Sequence, residues 1–290
     1  MLYSQLGPTG LNVSKISLGC SHLARGKGSA EILAAALDLG VNFFDTADSY
    51  GQGESERALA PILRRNRGDV FIASKIGYST SGFGALSGKI KALWSRGGKR
   101  QNFDPRYIQT AVHASLKRLE TDYIDLLQLH SPPLEVARSE AIWTCLQDLQ
   151  VKGHIRTFGI SCRNLHDAVV LAESAAFPSL QFEISVFHAN GYSNLMFHLS
   201  HGKTGLIARQ AFASGQMSTH WEKYRFLEIP GRRSIAQAAI QYVLCYRQVS
   251  TLLVGTSNPE HLKENVGALS APALSTTETE RIVAMSMDPV

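Results

Sequence analysis

The sequence predicts an α/β protein in which residues 1–290 form one domain, a closed (β/α)8 barrel. Three observations lead there. Short apolar runs alternate with amphipathic segments from end to end, the rhythm of parallel strands joined by helices. Eight such runs alternate with about as many helix candidates. The rival architecture, an open doubly wound sheet, prefers a glycine-rich turn after its first strand, and GxGxxG is absent here. Length alone would suggest two domains, but α/β barrels of this size are commonly a single one.

The elements follow in order. The first strand candidate is Ile16-Ser17-Leu18, closed by Gly19. Next come residues 42–45 (NFFD), 70–75, 124–130, 156–161, 180–185, 206–211 and 251–255. The first helix candidate, residues 29–39 (SAEILAAALDL), stops at Gly40, a plausible C′ glycine. Residues 54–65 are amphipathic. Residues 105–120 follow Asp104, with Asp as N-cap and Pro105 as first helical residue. Residues 140–152 end at Gly153, and 164–174, 234–246, 259–268 and 277–287 complete the set. Only residues 192–201, with a glycine just before and histidines within, are ambiguous between helix and loop.

Two connections are long, 77–104 and 213–233. Loops of that length are uncommon unless functional. Both follow strand C-termini, the active-site face of such a barrel, and are candidate lids over a substrate.

Bulk properties narrow the function classes. The chain is 44% hydrophobic and 18% charged, ordinary for a globular protein and far from a disordered one. No apolar run approaches the roughly 20 residues needed to span a bilayer, and the start lacks the features of a signal peptide. The expectation is a soluble, cytoplasmic protein with no membrane partner. The four cysteines lie far apart with no CxxC pair, which argues against structural zinc and a disulfide framework. Net charge is a mild +5. Lys89, Lys91, Arg96, Lys99 and Arg100 sit in a Gly/Ser-rich stretch with only Trp94 interleaved, a solvated loop rather than a nucleic-acid surface.

The chemistry concentrates at strand ends. Asp45 ends the second strand, with Tyr50 five residues on; Lys75 ends the third and His130 the fourth. On a closed barrel these ends converge on one mouth. Reducing a carbonyl requires a proton for the oxygen as hydride arrives at carbon. A phenol is a poor donor at neutral pH, and a neighbouring ammonium favours its phenolate. Asp45 would hold Lys75 charged and in place, and His130 would orient the substrate or donate to the developing oxyanion. Taken singly, each residue also has a structural reading, as a turn cap, a surface charge or a strand closure. Together at three successive strand ends they favour chemistry.

These segments resemble the aldo-keto reductases. The matching stretches are NFFDTADSYG (42–51), IASKIG (72–77), LKRLETDYIDLLQLHSP (116–132), RTFGIS (156–161), LQFEIS (180–185) and VGTSNPEHLKENVGA (254–268). They run nearly end to end in the family's order. The resemblance implies a TIM barrel that uses NAD(P)H without metal, with a tetrad of Asp45, Tyr50 as proton donor, Lys75 and His130. It implies that Ser161 and Gln181 bind the nicotinamide carboxamide and that Arg209 stacks on the ring. Phe212 and Ser214 fall on the loop lining the pyrophosphate. Thr256, Ser257, His261, Glu264 and Asn265 fall at the adenosine end, where the helix starting near Pro259 offers its N-terminus to phosphate.

The departures are informative. Cys162 stands where the family usually has Asn, which weakens or replaces a carboxamide contact; the residue is a small filler or a redox-sensitive thiol. Gly255 and His261 occupy positions where NADPH-specific members often carry Lys and Arg; fewer fixed cations then face a 2′-phosphate, so NADP(H) is favoured by the resemblance but NAD(H) stays open. Ile184 replaces a common Tyr. The chain ends at Val290, so the long C-terminal substrate loop of some relatives is not expected. His22, Phe83 and Trp94 are candidate substrate contacts, whereas His198 and His201, at a metal-compatible spacing, lack acidic or cysteine partners and read as a solvent-facing pair. The first expectation is an NADP-preferring reductase of an aldehyde or ketone, such as a sugar or natural-product carbonyl. An NAD-dependent sugar or alcohol dehydrogenase is the alternative, and a nucleotide-bound redox-sensing or scaffold subunit with little turnover a third. The sequence sets neither substrate identity nor oligomeric state.

Overall fold

The computed structural model describes residues 1–25, 28–78, 101–174, 177–213 and 220–286. Two short strands, β1 (Tyr3–Gln5) and β2 (Asn12–Ser14), pair antiparallel. Eight further strands follow: β3 (Ile16–Gly19), β4 (Phe43–Asp45), β5 (Phe71–Ile76), β6 (Ile124–His130), β7 (Ile155–Ser161), β8 (Ser179–Glu183), β9 (Gly205–Arg209) and β10 (Val249–Val254). They pair in parallel in chain order, and β10 closes onto β3 to complete the barrel. The expected (β/α)8 class is the observed one, with strand limits moved by two residues or fewer.

Around the strands lie α1 (Ser29–Asp38), α2 (Glu54–Asn66), α3 (Pro105–Leu119), α4 (Leu134–Ala137) and α5 (Glu140–Val151). They are followed by α6 (Leu165–Ser174), α7 (Ser193–His201), α8 (Ile235–Leu244), α9 (Pro259–Gly267) and α10 (Thr276–Met285). The ends obey the expected local chemistry. Asp104 accepts the Arg106 N–H at 2.9 Å, and Gly40 takes the left-handed φ of +80° that ends α1. The ambiguous stretch becomes α7, because Leu195, Met196 and Leu199 bury one face at helical spacing.

Strand periodicity sorts the side chains between two cores. Outward residues such as Phe44, Ile72, Leu127, Leu129 and Ile160 pack against the helices. Inward residues Phe43, Ala73, Leu126, Ile207 and Leu253 fill the lumen. The β1–β2 hairpin, not anticipated from the sequence, completes this inner core with Leu6, Leu11 and Val13. It docks so closely that a Cβ on Gly205 would lie 2.6 Å from the Gly7 nitrogen and from the Leu6 carbonyl carbon. The N-terminal end of the barrel is therefore plugged, which leaves the strand C-termini as the chemical end. Among the described residues no helix is long and apolar enough to cross a membrane.

Candidate active site

The inward parity that places Ala73 and Leu126 in the lumen places Lys75, Gln128 and His130 above them, at the open end. The ladder sets them side by side: Gly19 pairs with Asp45, Lys75 with Gln128, and His130 with Ser161. Ser161 in turn pairs with Gln181, and Glu183 with Arg209. A cleft of about 690 Å³ opens over these ends, with walls that include Cys20, Asp45, Tyr50, His130, Ser161 and Gln181.

Asp45 and Lys75 form a buried ion pair. The Lys75 ammonium also donates to the Thr46 carbonyl at 2.9 Å and lies 3.3 Å from the Tyr50 hydroxyl. The second Asp45 oxygen accepts from Gln181 Nε2 at 2.8 Å and from Gln128 Nε2 at 3.3 Å. Burial acts to lower Lys75, but the Asp45 carboxylate and Tyr50 outweigh it and hold the ammonium above its ordinary range. The His130 ring stands edge-on to Tyr50, with centroids 5.9 Å apart, and edge-on to Tyr78 at 4.7 Å. The four expected residues are thus brought together.

The expected carboxamide partners also meet. Ser161 donates to Gln181 Oε1 at 2.8 Å. The Ser161 hydroxyl keeps lone pairs to accept, and the Gln181 amide keeps a second N–H to give. Arg209 lines the cleft, donates to the Cys162 carbonyl at 3.3 Å and lies 4.0 Å from Glu183. Phe212, Gly255 and exposed His22 line the same space; a Cβ on Gly255 would lie 3.4 Å from the His22 ring.

Other expected residues lie apart. Thr256, Ser257, His261 and Glu264 continue along the surface beyond Gly255, while Asn265 is buried. The start of α9 is largely satisfied internally, since Asn258 accepts the Glu260 N–H at 2.9 Å and Pro259 has none to offer. The Cys162 thiol does not line the cleft: it is buried in the outer core, where burial pushes it up to about 12. A buried thiol is a small hydrophobe and forms little thiolate, which fits Cys162 as a filler rather than as a redox-sensitive or coenzyme-contacting thiol. Ile184 is likewise buried in that core. Ser214, Phe83, Trp94 and the basic stretch lie outside the described residues. His201 bonds the Phe197 carbonyl of its own helix at 2.8 Å, and no group of three metal-ligating side chains occurs among the described residues.

Several site residues escaped the sequence reading. Gln128 was signalled by its place two residues before His130 on the same strand face. Cys20, Ser21, Ser131 and Gln210 line the cleft from loop starts that carry no pattern. Asp48 is buried, and neither of its oxygens finds a protein partner among the described residues. Burial first, and then the neighbouring Glu56 carboxylate, push its carboxyl up to about 7.

Residues 15–286 match the model of the Aldo/keto reductase family, and the chain belongs to that family. Its members are oxidoreductases that use nicotinamide cofactors on carbonyl compounds. The chain is 29% identical over 304 residues to the uncharacterized oxidoreductase YqkF of Bacillus subtilis, covering 96% of this chain and 94% of that protein. It is 26% identical over 296 residues to the L-galactose dehydrogenase of Arabidopsis thaliana, covering 91% and 87%. Among solved structures it resembles the holo form of aldo-keto reductase AKR11C1 from Bacillus halodurans, with a TM-score of 0.82, 26% identity, and 98% and 96% coverage.

The residues present fit a nicotinamide coenzyme. A carboxamide is one acceptor and one donor, and the buried Ser161–Gln181 pair offers the complement of each at the cleft wall.

Proposed function

We propose that the chain reduces an aldehyde or ketone to the alcohol, with Tyr50 as proton donor and NADP(H) as preferred coenzyme. One observation carries this reading. A buried ammonium, Lys75, is held by a carboxylate on one side and lies 3.3 Å from a phenol that lines an open cleft.

When bound, the dihydronicotinamide supplies the hydride. Ser161 and Gln181 hold its carboxamide, and Arg209 packs its planar guanidinium against the ring. Tyr50 gives its proton to the carbonyl oxygen, so that a neutral alcohol leaves. The negative charge remaining on the phenol faces Lys75, and burial from water makes that pairing strong. Asp45 keeps Lys75 charged and in place, and is itself held by Gln181 and Gln128. His130, on the strand next to that of Lys75 and with its ring edge-on to Tyr50, presents its imidazole beside the phenol and orients the oxygen.

Ser257 and His261 suit a 2′-phosphate, which supports NADP(H), while Gly255 supplies no cation for it and keeps NAD(H) open as the alternative carrier. A second reading is NAD-dependent oxidation of a sugar or alcohol. It is favoured by the similarity to L-galactose dehydrogenase and by Ser21, His22, Ser131 and Gln210 on the cleft wall.

Tyr50→Phe tests the reading. Reduction should fall about a hundredfold or more, the usual contribution of a general acid, with coenzyme affinity nearly intact. A variant that kept more than about a tenth of the rate would remove Tyr50 as donor. Fluorescence titration with NADPH and then NADH separates the two readings: tighter NADPH supports the reductase, and comparable or tighter NADH supports the dehydrogenase.

A further inference from the structure

The turn after His130 is unusual. Ser131 has φ +55°, a left-handed conformation uncommon for a residue with a side chain, and Pro132 and Pro133 follow at once. Its two carbonyls converge on one amide. Gln101 Nε2 donates to the His130 carbonyl at 3.0 Å and to the Ser131 carbonyl at 2.9 Å. The Gln101 carbonyl is held in turn by Arg163, whose Nη2 donates to it and to the Ser131 carbonyl, both at 3.1 Å.

The backbone of Gln101 is also fixed. It forms an antiparallel bridge with Tyr78, and the Asn102 N–H donates to the Gly77 carbonyl at 2.7 Å. Tyr78 is the residue whose ring stands against His130, 4.7 Å away at an interplanar angle of 82°. The Tyr78 carbonyl accepts from the Tyr107 hydroxyl of α3 at 3.1 Å. One bridged pair therefore grips His130 twice: the Gln101 side-chain amide holds its backbone carbonyl, and the Tyr78 ring stands against its imidazole.

From this we infer that Gln101 is a positioning residue for His130: by tying down the His130–Ser131 turn, it fixes where the imidazole points in the mouth. The inference rests on the reading of His130 as the group that orients the carbonyl oxygen. A mechanism that depends on one imidazole's aim is sensitive to displacements well below the length of a bond.

The test is Gln101→Leu, which removes the donors and the acceptor at similar volume, beside Gln101→Glu. The latter keeps an acceptor for Arg163 but turns a carboxylate oxygen toward two carbonyls. Three readouts are taken: kcat and KM for NADPH-dependent reduction of an aromatic aldehyde, the Kd for NADPH, and the imidazole ¹H–¹⁵N signals of His130. Gln101→Leu should lower kcat by about tenfold and shift the His130 signals, with KM and coenzyme affinity little changed. Gln101→Glu should be lower still. Should Gln101→Leu fail to fold, Arg163→Leu, an exposed change that frees Gln101, should show the same signature to a smaller degree. Unchanged kcat, or a fall in kcat with the His130 signals unmoved, overturns the inference. A His130→Gln control separates the two claims. Full activity there removes the role of His130 itself; low activity beside a native-like Gln101→Leu removes only that of Gln101.

Discussion

Lys75 and Asp48 lie in the same neighbourhood and have opposite environments. Lys75 is held by Asp45, Thr46 and Tyr50, whereas the buried Asp48 carboxyl has no hydrogen-bond partner on either oxygen among the described residues. Lys75→Met removes the positive charge facing Tyr50; a slower reduction with an altered pH profile is expected, and an unchanged profile would break the link between the two residues. Asp48 predicts a stability effect. Its carboxyl stays protonated in the folded protein up to about pH 7 but ionises from about pH 4 in the unfolded chain. Between those values the native state holds the extra proton, so this group's contribution to stability falls as pH rises. Asp48→Asn should flatten the decline between urea melts at pH 5 and pH 8, by up to about 3 kcal/mol. The Asp45, Tyr50, Lys75 and His130 set was legible because three of its members end apolar runs with the same inward parity. Asp48 and Gln101 were not, because what makes them matter is a neighbour on another segment: Glu56 of α2 for one, His130 and Arg163 for the other.

At the level of elements, the strands and helices were read from period and punctuation, and errors fell at their ends. The β9 strand begins at Gly205, one residue before its apolar run, because Gly205 pairs with Ser179 and must also admit the hairpin. The hairpin itself left no signal. Three-residue strands are too short to show alternation, and their burial arises from the barrel they plug. Gly205→Ala therefore reports on an element that sequence pattern misses. The added methyl meets the Gly7 and Leu6 backbone as well as the Leu6 side chain, and should cost about 1–3 kcal/mol. A lower urea midpoint with an unchanged slope is the expected result; an unchanged midpoint would mean that the hairpin docks less tightly than the contact implies.

For the whole molecule, closure of β10 onto β3 makes stability and site geometry properties of one ring, since residues on seven of its strands line the cleft. A coenzyme bound there contacts several strand ends at once and should stabilise the entire fold. Saturation to about a hundred times Kd is worth about 2.7 kcal/mol, and NADPH should raise the melting temperature more than NADH at equal concentration. No shift with either would count against the coenzyme assignment as a whole. The barrel class was legible from the number and order of runs. The wall proposed for the adenosine half was less so, because Thr256, Ser257 and His261 lie past the end of β10, on a loop and the first turn of α9, outside the strand pattern.

The stopper formed by Leu6, Leu11 and Val13 has a consequence for traffic. Side chains already pack the lumen above it, so among the described residues the cleft is a cup with one rim. In the proposed reaction, reactant, product and carrier would share that rim, so whatever settles deepest would wait for what lies above it to leave.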